Sequence, residues 1–230
     1  MYFDSSLFLC LLGIPFLYIA LIWGFLKKDS LTFLDLLKAL VLGLTSTVFL
    51  HFNYALFPPE NWEYLTTFEK FFYQVALREE VSKFIAFLIL IKYGFRKKFR
   101  PLSIMILSGV VGMGFAIEEN LIYYHRYGMD VLIGRNYTSL LGHTIFGMFT
   151  GYWYALGQIK ITDSNFSKYP KTFPIIYSSI GVLSSILFHG LWNYNLSTSA
   201  WAGESIMIFM ILFGLFVSFM YGKDLKNRKN

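Results

Sequence analysis

A chain of 230 residues that is 56% hydrophobic and only 15% charged, with a mean hydropathy of +0.52, is not a soluble globule built on a single core. Its apolar runs of about 20 residues match the hydrocarbon thickness of a bilayer, where only helices satisfy every backbone group within one segment. The formal charge of +6 falls beside those runs, which points to membrane topology and away from a nucleic-acid partner, and the single cysteine, Cys10, excludes an intrachain disulfide or a multi-cysteine zinc site.

The expected fold is all-α: a polytopic bundle of about seven transmembrane helices in one domain, residues 1–222, with a basic cytoplasmic tail at 223–230. The first span covers residues 7–26. It has no basic flank before it and no small-residue cleavage site after it, and Lys27 and Lys28 stop it, so it reads as a retained helix. The second runs over 33–52, with Asp35 and Lys38 in its first turns. Pro58, Pro59 and the polar stretch Glu60 to Thr67 separate it from the third, 70–92. Arg96, Lys97, Lys98 and Arg100 precede Pro101, which opens the fourth at 101–124. The fifth is expected at 137–158, the sixth at 174–194 and the seventh at 204–222.

Lysine and arginine fall mostly on one side of this arrangement. Lys27, Lys28, the cluster Arg96 to Arg100, Lys160, Lys168, Lys171 and the tail lie there, against Arg126, Arg135 and Lys70 on the other. The bias predicts an N-terminus outside and a C-terminus in the cytoplasm of a multi-pass cell-membrane protein.

Ionisable groups inside such spans are costly, at least ~2.5–3.5 kcal/mol each at a helix centre, and are kept when they face one another or a wet cavity. Glu79, Glu80 and Lys83 lie in the third span, Glu118 and Glu119 in the fourth, His143 in the fifth, and His189 with Asn193 in the sixth. At ~1.5 Å per residue, Glu79, Glu119, His143 and His189 lie ~8–13 Å below the outer ends of their helices. They are therefore expected to meet in the outer half of the membrane. Lys83, four residues after Glu79 and three after Glu80, can face either carboxylate. Stripes at four-residue spacing run through Gly181, Ser185, His189 and Asn193, and through His143, Gly147 and Gly151. Gly109, Gly112 and Gly114 thin the approach to the fourth span's glutamates. Small residues let helices close on one another in lipid. Of the two neighbours in the fourth span, Glu118 is expected to be structural. His51 and His125 fall at predicted interfaces or loops and receive no role.

Carboxylates and imidazoles converging on a water suit hydrolysis by general-base catalysis, with a donor His189 and the Asn193 amide placed to stabilise an oxyanion. No serine or cysteine stands beside them as a nucleophile, so direct attack by water is expected.

Here the sequence resembles a family. Glu79-Glu80-Val81-Ser82-Lys83 matches the Glu-Glu-x-x-Lys motif of the PrsW-type intramembrane proteases. Phe115 to Asn120 is similar to their Phe-x-x-x-Glu-Asn motif, with Glu119 and Asn120 at the motif positions, and His143 and His189-x-x-x-Asn193 to the later histidine motifs. The related type II CAAX prenyl endopeptidases carry Glu-Glu-x-x-x-Arg and a histidine where this chain has Glu119, which sets prenyl-protein substrates aside. The resemblance implies an endopeptidase that cuts a membrane-anchored protein, for instance an anti-sigma factor on its outer side. It also implies Glu79 as the main catalytic carboxylate and His189 with Asn193 as its oxyanion partner. Glu80, Glu119 and His143 would complete the catalytic set, with Lys83 and Asn120 supporting.

Other readings stay open on the residues alone. An ion- or proton-coupled transporter would also bury Glu, Lys and His, though it predicts an internal repeat that is not apparent. A non-catalytic membrane scaffold would keep the same helices. No cofactor is expected, with zinc held by Glu119, His143 and His189 as the alternative.

Overall fold

In a computed structural model the described residues are 5–26, 31–58, 61–94, 99–162 and 173–198. Among them the chain is helical throughout, with no strand. Helix α1 covers residues 5–26, α2 Phe33–Leu56, α3 residues 67–94, α4 Pro101–Tyr127, α5 Met129–Tyr137, α6 Ser139–Thr162 and α7 Phe173–Thr198. The expected seventh span, 204–222, and the basic tail lie outside the described residues.

Three of the starts have a local cause. At α2, Thr32 Oγ1 accepts from the Asp35 amide while Asp35 Oδ2 accepts from the Thr32 amide. The same reciprocal box joins Thr66 and Glu69 at the start of α3. Pro101, which lacks an amide hydrogen to leave unpaired, opens α4. Losing the Thr66 box in Thr66→Ala is expected to cost about 1 kcal/mol. In a chain of this length that is a drop of roughly 2–4 °C in thermal unfolding in detergent micelles.

Among the described residues, four helices are long and apolar enough to cross a membrane: Ser5–Gly24, Phe33–Leu56, Pro101–Tyr127 and Pro174–Thr198. Helices α3 and α6, expected as spans three and five, are not among them. The polar residues that make them interesting also dilute them: Arg78, Glu79, Glu80 and Lys83 in α3, and His143 with several glycines and threonines in α6. Helix α3 is also wound unevenly, with π-helical turns over Lys70–Leu77 and Leu90–Gly94 on either side of the α-helical Arg78–Ile89. Such turns often mark functional sites.

Helix α4 is the axis of the bundle. Of its most apolar stretch 89% is buried, against 11% for α1. Glycine lets its neighbours reach it. A β-carbon on Gly43 of α2 would run into the Val111 carbonyl of α4, and one on Gly114 into the Leu40 carbonyl of α2. On the opposite face, Gly112 meets the His143 carbonyl of α6, and Gly147 of α6 meets the Ser108 carbonyl of α4. Helix α7 lies on α6, where Ser185 Oγ donates to the Phe146 carbonyl at 2.6 Å and shares a 2.8 Å hydrogen bond with Thr150 Oγ1. The two small-residue stripes therefore face helices, as their spacing predicts.

Candidate active site

Helices α3, α4, α6 and α7 bring Glu79, Glu80, Lys83, Glu119, His143 and His189 into one cluster. All but Glu119 are buried, and the Glu119 side chain is 20% exposed. Lys83 resolves its two possible partners in favour of Glu80, with Nζ 2.6 Å from Glu80 Oε1 and 4.0 Å from Glu79 Oε2. Its ammonium also stands 2.9 Å from His143 Nδ1 and 4.6 Å from the centre of the Phe115 ring. Phe115, one turn before Glu119, thus packs against both Lys83 and the His143 ring. His189 stacks on Phe146 with ring centres 5.0 Å apart and meets His143 edge-on at the same distance.

Donor–acceptor bookkeeping assigns the imidazole protons. An ammonium has no lone pair, so His143 Nδ1 accepts from Lys83 and the ring proton lies on Nε2, donating to Glu119 Oε2 at 2.9 Å. His189 is the reverse. Its Nδ1 donates to Glu80 Oε1 at 2.8 Å, leaving a lone pair on Nε2, 3.9 Å from Glu79 Oε2. That oxygen is buried and has no hydrogen-bond partner among the described residues. His189 Nε2 therefore turns its lone pair toward Glu79 Oε2 at 3.9 Å, a separation that a water set to one side of the pair would span with a hydrogen bond to each. The assignment also constrains the oxyanion role expected of His189, because Nε2 can donate only once the ring carries two protons.

Charge points to the same oxygen. Three carboxylates, Glu79, Glu80 and Glu119, face two cations, Lys83 and Arg135. Lys83 is hydrogen-bonded to Glu80 and Arg135 to Glu119, which leaves Glu79 the carboxylate of the three with neither cation within hydrogen-bond distance.

A cavity of ≈ 390 Å³ opens over the cluster. Its polar lining includes Glu119, His143, His189 and Asn193, and its apolar lining Phe71, Val75, Trp192 and Leu196. Asn193 thus sits one turn beyond His189 on the cavity wall, as the spacing predicts. Glu79 and Glu80 stay outside the lining and reach it through His189. Asn120 is buried beside the cluster and Glu118 points away, to Thr47 Oγ1 on α2.

Two features escape a reading of the sequence. Arg135, counted there only as a loop charge, donates to Glu119 Oε2 at 2.6 Å from the short helix α5. The metal-ligand set is also different. Glu79, His143 and His189 each offer an atom, all within 4.8 Å of one another. Glu119, whose Oε2 accepts from Arg135 and His143, stands beside this set. An orphaned carboxylate oxygen and two imidazoles are a donor set that zinc accepts, so the residues fit a divalent ion, provided His143 releases Lys83.

The comparisons with known proteins come to the same ground. A family model described as PrsW family intramembrane metalloprotease matches residues 15–220. A protein named Protease PrsW from Oceanobacillus iheyensis is 28% identical over 136 residues, 59% of this chain and 58% of that protein. Another of that name from Shouchella clausii is 31% identical over 109 residues, 47% of this chain and 45% of the relative. The matched stretch thus spans about half the length of these curated relatives. No solved structure matches the chain.

Proposed function

The chain belongs to the PrsW family of intramembrane metalloproteases, and from that premise we propose that this multi-pass membrane protein hydrolyses a peptide bond in a membrane-anchored protein. The observation that carries the reading is the facing pair Glu79 Oε2 and His189 Nε2, 3.9 Å apart beside a cavity. With Glu79 as the carboxylate, a water at the side of the pair donates one hydrogen to each. Its oxygen attacks the substrate carbonyl carbon while Glu79 takes the proton. The Asn193 amide donates to the oxyanion that forms. The proton then passes by way of His189 Nε2 to the leaving amine nitrogen as the C–N bond breaks. Glu80 touches neither water nor substrate; its hydrogen bond to Nδ1 fixes the tautomer of His189, so it is a positioning residue.

If a divalent ion is bound, Glu79, His143 and His189 hold it, and it supplies Lewis acidity and a more acidic water. Glu119 and Asn120 then keep the roles they have without it. The helices number about seven, with the N-terminus outside, the C-terminus in the cytoplasm and the site in the outer half of the bilayer. A substrate anchored by one transmembrane helix, of which an anti-sigma factor is an example, reaches the cavity from that side.

The test is cleavage of a membrane-tethered reporter by the full chain in proteoliposomes. Cleavage by wild type that is lost in His189→Ala at equal accumulation is the expected result. Full cleavage by His189→Ala excludes this chemistry. A chelator arm separates its two forms, since loss restored by added zinc assigns the metal form and indifference to chelation assigns the glutamate form.

A further inference from the structure

Outside the residues marked by sequence, the site holds a second cation whose geometry is as constrained as that of Lys83. Helix α4 ends at Gly128, whose φ of 85° and ψ of −170° are open only to glycine. The turn is immediate, and α5 carries Arg135 in its last turn. There the Arg135 Nε donates to Asn120 Oδ1 at 2.8 Å. Its Nη2 donates to Glu119 Oε2 at 2.6 Å and to Ser139 Oγ at 2.8 Å. The guanidinium carbon lies 3.7 Å from the centre of the Tyr123 ring. Four side chains from α4 and α6 thus hold one guanidinium, a use of its planar fork that an ammonium cannot reproduce.

We propose that Arg135 is a positioning residue of the reaction, setting the proton of His143 through Glu119; this rests on the proteolytic reading above. Glu119 Oε2 receives both the guanidinium and the His143 Nε2 hydrogen. As long as Arg135 fixes that oxygen, the His143 proton stays on Nε2 and its Nδ1 lone pair turns to Lys83. Lys83 in turn binds Glu80, and Glu80 binds His189 Nδ1. Arg135 is the outer end of a continuous series, Arg135–Glu119–His143–Lys83–Glu80–His189, in which every link measures 2.6–2.9 Å. Removing it leaves three carboxylates facing one cation. Glu119 is then free to swing toward the cavity it lines, and the orientation is lost first at His143 and then at Lys83. Arg135 is therefore expected to govern the rate of the chemical step and not the affinity for substrate.

The experiment measures kcat and KM for the tethered reporter with the full chain as wild type, Arg135→Met, Arg135→Lys and Glu79→Gln. It also reads the His143 tautomer by 15N NMR of the histidine-labelled protein. Arg135→Met is expected to lower kcat by about 100-fold, the scale of a 1 Å misplacement, with KM within about twofold. Arg135→Lys, which keeps the charge but not the fork, should recover part of that loss, and the His143 signal should leave the pure Nε2–H form in Arg135→Met. Unchanged kcat and tautomer in Arg135→Met overturn the inference. So does a raised KM at constant kcat, which makes Arg135 a substrate-binding residue, and so does Arg135→Lys no better than Arg135→Met at equal folded protein. If Glu79→Gln cleaves like wild type, the proteolytic reading itself fails; if Glu79→Gln is inactive and Arg135→Met normal, only the present inference does.

Discussion

Glu79→Gln is expected to reduce cleavage by about 10²–10⁴-fold, the usual contribution of a general base, while leaving the protein at least as stable as wild type. The second half of this expectation follows from the weak partnering of Glu79. Its Oε2 is buried without a hydrogen bond among the described residues, and Lys83 stands 4.0 Å away. Neutralising it brings three carboxylates and two cations down to an even balance and removes a desolvated charge that gains little in return. Glu80 is the opposite case. Its Oε1 receives Lys83 at 2.6 Å and His189 at 2.8 Å, so Glu80→Gln breaks a buried pair and is expected to cost about 3–5 kcal/mol. Two adjacent residues of one motif should therefore separate. Reporter cleavage and thermal unfolding in micelles, measured on both variants, read the difference. Equal destabilisation by the two substitutions, or an active Glu79→Gln, would remove the assignment of Glu79 as the base.

The reason this pair was legible at all is the physics of the bilayer. An apolar run containing two glutamates and a lysine demands a compensating partner, and ionisable groups at a matching depth of other spans lay at Glu119, His143 and His189, with Glu118 adjacent. Four-residue spacing then gave the faces, and the structure brings those faces together. What spacing cannot give is the choice among equivalent contacts. Lys83 could reach either carboxylate along its own helix, and the choice of Glu80 comes with His143 and His189 from other helices. Glu119 is likewise met by a partner that spacing does not mark, Arg135, whose helix α5 reads in the sequence as a polar connection between spans and carries no long apolar period. The span count is similarly limited. The helices carrying Glu79 and His143 lose apolarity through the polar residues they bring to the site, while those carrying Glu119 and His189 stay apolar enough to cross a membrane.

Gly112→Ala carries the second large effect. Gly112 has no polar atom in its side chain and stands 31 residues from His143 in the sequence, yet it decides where that histidine sits. A β-carbon there would overlap the His143 carbonyl oxygen and stand 2.9 Å from its carbonyl carbon. The obstruction is backbone on both sides, so no side-chain rotation can relieve it, and α4 and α6 must separate. Overpacking of this kind costs about 1–3 kcal/mol. A shift of His143 on the order of 1 Å also breaks its 2.9 Å hydrogen bonds to Glu119 and Lys83, and a displacement of that size costs about 100-fold in rate. Gly134→Ala is the matched control. It lies on α5 beside Arg135, and a β-carbon there meets nothing within 4 Å. It should melt no lower than wild type, because alanine favours a helix over glycine by about 1 kcal/mol, and it should cleave normally. Gly112→Ala is expected to cleave at least tenfold more slowly and to unfold at lower temperature. Wild-type cleavage and melting in Gly112→Ala would show that the spacing of α4 and α6 does not set the histidine. The consequence for the site is general: its geometry is held as much by glycines that admit one backbone to another as by the charges that meet between them.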